Sequence, residues 1–207
     1  MNKQLYIKDY CHIKNNTIFV NDSALFQAEE SLDFSEFFNA AYKNLNINYP
    51  KAFKMDNLSK LSFLAADVLL KDDKISSETN RDIALIFSNS ASSLDTDRKY
   101  QKSIDDAAHY YPSPSVFVYT LPNIGMGEIS IKHRLFSENS FFIFDRFNAT
   151  YLHHYAVSML STNKAKYALC GWVDFDETAY EAFLYWVGDK GIIPHTEAMI
   201  TNLYTKN

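Results

Sequence analysis

The chain has 207 residues, 47% of them hydrophobic and 15% aromatic, which is enough apolar surface to close one core of ordinary domain size. Its 20 Lys and Arg against 25 Asp and Glu give a formal net charge of -5, which excludes the basic stripe that neutralises nucleic-acid phosphates. No apolar run reaches the roughly 20 residues of a membrane span, and the opening Met-Asn-Lys-Gln-Leu has no apolar signal core, so a cytoplasmic protein without membrane contact is expected.

In chain order, Leu5 to Ile13 and Thr17 to Val20 read as extended segments, and Ser35 to Leu45 as a short helix. Asp56 is an N-cap for a helix in which Leu58, Leu61, Ala65, Val68 and Leu69 recur at three- and four-residue steps, an apolar stripe shaped to lie on a sheet. Asp82 to Ser88 is a continuous apolar run of strand length, as expected when both faces of a parallel strand are covered. It leads into a small polar loop, Ser88 to Ser93. Pro112 and Pro114 break the chain. Ser115 to Tyr119 is expected to be extended, and Thr120-Leu121-Pro122 to open a helix whose first position is Pro122. Gly125 and Gly127 inside that helix each cost about 1 kcal/mol against alanine, which points to another backbone passing close by.

Phe141 to Phe144 reads as a central strand. Asn148 to Leu160 comes next as a helix with Leu152, Ala156, Met159 and Leu160 on one face. Lys166 to Asp174 and Tyr180 to Val187 read as antiparallel neighbours, with a closing helix after Pro194. This alternation predicts a single three-layer α/β/α domain over 1–207, on a mixed, mainly parallel five-stranded sheet.

Cys11 and Cys170 lie far apart in apolar surroundings, as buried thiols do. His12, His109, His133, His153, His154 and His195 form no His-x-x-x-His pattern, so neither metal nor cofactor is expected. Adjacent His153 and His154 on one helix send at most one ring toward the core. Asp174 and Asp176 are expected as turn-forming caps, and Glu128 as solvent-facing.

Three motifs in order carry a resemblance. Met55-Asp56 precedes the first long helix, Leu121-Pro122-Asn123 the second, and Leu169-Cys170-Gly171-Trp172-Val173 ends a strand. Their order and spacing over residues 49–174 resemble β-ketoacyl-acyl-carrier-protein synthases, in which Met-Asp, Leu-Pro-Asn and Leu-x-Gly-Gly-Val stand in those places; Trp172 departs from the second glycine. The resemblance implies a thiolase-like α/β fold, with this chain matching the amino-terminal half of a protein roughly double its length. The other half of such proteins supplies two catalytic histidines, and none of the six histidines here lies in a matching motif.

The family also implies a nucleophilic cysteine at the amino end of a central helix, where the helix dipole lowers the thiol pKa. The equivalent stretch here is Phe144-Asp145-Arg146-Phe147-Asn148-Ala149. Arg146 falls in the slot without a gap and Phe147 with a one-residue slip, and neither forms a thioester. Asn148 and Thr150 stand close by, but an amide is not a nucleophile and the threonine has no evident base.

Ketosynthase-like subunits without the cysteine serve in this family as chain-length factors beside an active subunit. The resemblance therefore implies a non-catalytic partner of a full-length ketosynthase or an acyl carrier protein, in fatty-acid, polyketide or aryl-polyene assembly, with Arg146, Phe147 and Asn148 lining the former acyl site. An isolated half should also expose apolar surface, to be covered in a homodimer or heterodimer. Two other readings stay open: a stand-alone acyl-carrier or small-ligand binding module, and an acyltransferase using Asp145, His153 or His154 as base.

Overall fold

The computed structural model describes residues 4–71, 82–108 and 110–206; the opening Met1 to Lys3 and His109 therefore lie outside the described residues. Strands β1 (Tyr6–Lys14), β2 (Thr17–Val20) and β3 (Ser23–Gln27) form an antiparallel meander. Its turns fall at Asn15-Asn16 and Asn21-Asp22, all four at positive φ, a conformation that short amide and carboxylate side chains tolerate.

Helix α1 (Phe34–Asn44) opens with a capping box in which Asp33 and Glu36 each accept from the other's backbone N–H. A 3-10 turn, Pro50–Lys54, leads to Asp56, whose carboxylate accepts from Ser59 N and starts α2 (Asn57–Leu70). Then come β4 (Ile83–Asn89), α3 (Leu94–Lys102), α4 (Pro114–Val118) and α5 (Ile124–His133). The chain closes with β5 (Asn139–Ile143), α6 (Ala149–Ser161), β6 (Tyr167–Asp176), β7 (Ala179–Gly188), β8 (Ile193–Pro194) and α7 (Glu197–Thr205).

Among the described residues the strands form one eight-stranded sheet, ordered β3-β2-β1-β7-β6-β4-β5, with β8 alongside β1. Only β4 with β5 and β4 with β6 are parallel; the remaining pairs are antiparallel. The five-stranded, mainly parallel sheet read from the sequence is thus larger and mostly antiparallel. The cause is long-range: β1 inserts beside β7 from the other end of the chain, a pairing that no local periodicity encodes.

The three-layer α/β/α class is present. In β4, Leu85 and Phe87 enter a core with α1, α2 and α5, while Ala84 and Ile86 enter a second core with α6 and α7. Both faces are covered, which explains the unbroken apolar run. Cys11 and Cys170 are fully buried, one in each core.

Local expectations differ at several places, and Asp174 and Asp176, expected as turn-forming caps, lie within β6. Residues 114–118 are helical because the Ser113 hydroxyl accepts from Val116 N and Pro114 opens the turn with its φ preset. The next helix begins at Ile124, not Pro122, behind Asn123. β5 is an edge strand, not a central one. Glu128 is 6% exposed; Lys51 Nζ lies 2.8 Å from its Oε1 and the Tyr49 hydroxyl donates to Oε2 at 3.1 Å. The glycine expectation divides: a Cβ on Gly125 would stand 2.5 Å from Ser62 Oγ and 3.2 Å from Ser59 Cα of α2, whereas one on Gly127 would meet nothing within 4 Å.

Candidate functional site

Parallel β4 and β5 end side by side, and Phe144 N continues the ladder by donating to Asn89 O at 2.9 Å. The chain then turns through Asp145, Arg146 and Phe147 into α6. Asn148 is the N-cap, its side-chain oxygen accepting from Tyr151 N at 2.9 Å. Helix α7 starts behind Thr196, which caps Met199 N, and packs across α6. Between the two helices lies an open pocket of about 710 Å³, lined by residues 143–150 and by Thr201, Tyr204 and Thr205.

The structure brings Arg146, Phe147 and Asn148 to this one pocket. Arg146 is exposed, while Phe147 and Asn148 are half-buried. The Phe147 ring sits 4.2 Å from that of Tyr204, 5.7 Å from Phe183 and 6.3 Å from Trp172, centroid to centroid. Phe147 therefore fills the space before the helix with an aromatic ring, while Arg146 stands at the solvent side. Asn148 is committed to the cap and has no free nucleophilic atom.

Beneath the aromatic cluster runs a polar chain that sequence reasoning missed. Glu181 receives His12 Nε2 at 2.8 Å on one oxygen and the Tyr204 hydroxyl at 2.7 Å on the other. Burial pushes the Glu181 carboxyl up, but the hydrogen bonds from His12 and Tyr204 outweigh it and hold it below the usual range. Burial, with Glu181 beside it, raises the Tyr204 phenol well above its ordinary value. The one signal in the sequence was an acid set inside the apolar strand Tyr180 to Val187.

No thiol reaches the pocket. Burial pushes both Cys11 and Cys170 far above the ordinary thiol range, which keeps them protonated and poor nucleophiles. Thr150, on the pocket rim, donates to Glu197 Oε2 at 2.8 Å. Glu197 Oε1 lies 3.2 Å from His154 Nε2. So the threonine does have a carboxylate neighbour, contributed by α7. His154 is exposed and His153 half-buried with its ring 4.7 Å from that of His195. Asp145 is exposed at the pocket. Asp174 holds the loop after β4 by accepting from Ser90 N and Ala91 N, each at 3.1 Å, and Asp176 pairs with Arg98.

Among the described residues no helix is long and apolar enough to cross a membrane. No protein-family model matches the sequence, and no curated protein does. Solved structures do match. The ishigamide ketosynthase/chain length factor superposes with a TM-score of 0.66 at 14% identity, over 89% of this chain and 62% of that one. A ketosynthase in complex with its chain length factor from Xenorhabdus doucetiae matches with a TM-score of 0.60 at 12% identity, over 97% of this chain and 90% of that one. A type II polyketide-synthase acyl-carrier protein in complex with its ketosynthase matches with a TM-score of 0.63 at 11% identity, over 90% and 62%. The chain thus spans less than two thirds of the first and third of these, and nearly all of the second. Its fold is the thiolase-like α/β fold of ketosynthase and chain-length-factor structures.

Proposed function

We propose that this chain is a non-catalytic, chain-length-factor-like subunit that works beside an active ketosynthase in fatty-acid, polyketide or aryl-polyene assembly, in the cytoplasm. The observation that supports the reading is the aromatic ring before α6: Phe147, packed 4.2 Å from Tyr204, belongs to the stretch Arg146-Phe147-Asn148 that the resemblance aligns with the family's nucleophile, and neither Arg146 nor Phe147 forms a thioester. A pocket walled by Arg146, Phe147 and Asn148 can shape or bound an acyl chain without attacking it. The match over 90% of one chain from a ketosynthase and chain-length-factor complex supports the same role.

The surface available to a partner supports it too. Among the described residues the sheet ends at β5, whose outer N–H and C=O groups have no neighbouring strand. Ile143 is 50% exposed and Tyr151 39% beside that edge. An open strand next to apolar side chains fits a partner that contributes backbone as well as side chains.

Native mass spectrometry of the chain co-expressed with a ketosynthase and an acyl carrier protein from the same host tests the proposal. A heteromer that condenses acyl units, with this chain alone inactive, is the expected result. Condensation by the isolated chain would overturn it. Binding to acyl carrier protein with no ketosynthase would favour instead the ligand-binding module, for which the open pocket at α6 is the supporting feature.

A further inference from the structure

The amino-terminal halves of α6 and α7 bring the adjacent imidazoles of His153 and His154 together with the Glu197 carboxylate, which no spacing in the sequence links to them. One ligand atom from each of His153, His154 and Glu197 lies within 4.8 Å of the others. His154 Nε2 and Glu197 Oε1 are 3.2 Å apart, close to the edge of about 3.3 Å spanned by two donors that each sit about 2.0–2.1 Å from a tetrahedral ion. The Thr150 hydroxyl fixes the other carboxylate oxygen at 2.8 Å, the kind of outer contact that orients a ligating carboxylate.

A second observation points the same way. His195 is 4% exposed, and neither of its ring nitrogens has a hydrogen-bond partner. Its ring packs 4.7 Å from that of His153, whose Nδ1 is likewise buried and unpartnered. A buried polar group without a partner costs on the order of 1–3 kcal/mol, and two such imidazoles in contact are not explained by packing alone.

We propose that His153, His154 and Glu197 form a binding site for a zinc-like divalent transition metal. Water fills the fourth position, and the buried His195 ring backs that of His153. Imidazole nitrogen with a single carboxylate is a donor set for zinc, nickel or cobalt; magnesium and calcium demand oxygen cages, which this donor set does not supply. The ion clamps α7 onto α6. Since α7 carries Thr201 and Tyr204 on the pocket wall, metal occupancy sets the shape of that wall. The site stands independently of the subunit role proposed above.

Calorimetric titration of the chain, freed of any affinity tag, with zinc chloride tests the site. One equivalent should bind saturably, and magnesium chloride should give no binding heat. Glu197→Gln and His154→Gln should each weaken zinc at least about tenfold with an unchanged circular dichroism spectrum. Cobalt(II) should give the visible absorption of a four-coordinate nitrogen and oxygen site, lost in Glu197→Gln. Absence of saturable zinc binding, or an unchanged affinity in both variants, overturns the proposal and leaves a plain ion pair between His154 and Glu197.

Discussion

The ring of Phe147 lies 4.2 Å from that of Tyr204, at 32° between planes, and this contact fastens the loop before α6 to the last helix of the chain. Tyr204 in turn donates to Glu181, which also receives buried His12. Phe147→Ala should cost about 2 kcal/mol, below the full-burial range because the ring is only half-buried, and should loosen α7. Tyr204→Phe keeps the ring but removes a donor from Glu181, and should cost about 1 kcal/mol. Urea unfolding of the two variants checks both values, and a larger effect for Tyr204→Phe would contradict the aromatic contact as the main tie.

The two thiols should be silent. Both are fully buried and pushed far above the ordinary thiol range. Ellman's reagent should therefore release no colour from the folded chain and should report both cysteines after denaturation. Rapid labelling of the native protein would place a reactive thiolate where the structure has none.

Glycines at 125, 127 and 171 should respond differently to alanine. Gly127→Ala should stabilise by up to about 1 kcal/mol, since the new methyl meets nothing and the helix gains propensity. Gly125→Ala should destabilise, because its Cβ would press on Ser62 Oγ and Ser59 Cα. Gly171 has φ +155° and its Cβ would fall 1.9 Å from Phe183 O in the middle of the sheet, so Gly171→Ala should prevent stable folding. Melting temperatures in that order, 127 above wild type and 125 below it, with no cooperative transition for 171, are the test.

Stability should fall as pH drops below about 6.5, the value of histidine in an unfolded chain. Burial, and then His153 beside it, pushes His195 down to about 3. Above pH 6.5 both states hold it neutral, and the contribution is fully present. Between about 6.5 and 3 the unfolded state takes up a proton that the folded state refuses, at a slope of about 1.4 kcal/mol per pH unit for one group. His153, lowered by its own burial and by His154, adds to the slope. Urea midpoints at pH 7.5 and 5.5 with a chelator present should show the loss, and His195→Gln should flatten it.

The elements that can be read from the sequence are those whose signals are local. Asp56 caps α2 as its carboxylate spacing predicts, and the apolar run of β4 is a strand covered on both faces. The antiparallel step from β6 to β7 reflects a short turn between two apolar runs. What escapes is non-local. The pairing of β1 with β7 joins the two ends of the chain. Glu128 reads as a surface acid because Lys51 and Tyr49, which bury it, lie far off in sequence. At the pocket, residues 146–148 are within reach because they form one continuous stretch. Tyr204, Glu181 and the pairing of Glu197 with His154 are not, since three separate elements supply them. Residues 114–118 show the opposite failure: a run of β-formers argues for a strand, yet Ser113 and Pro114 already mark a helix start.

The open side of β5 also sets how large an assembly of this chain can grow. Another strand can add to a sheet only at an edge, and the symmetry of the addition decides the outcome. If β5 meets its counterpart across a two-fold axis, each β5 edge consumes the other and growth through β5 stops at two chains, with β3 left at the outer end of each sheet. If it meets the β3 edge of a further copy, that copy still offers its own β5, and the copies either close into a ring or extend as an open fibre. Growth through this edge stays finite when the edge is answered by itself, when the copies close into a ring, or when a partner that offers no edge in return ends it.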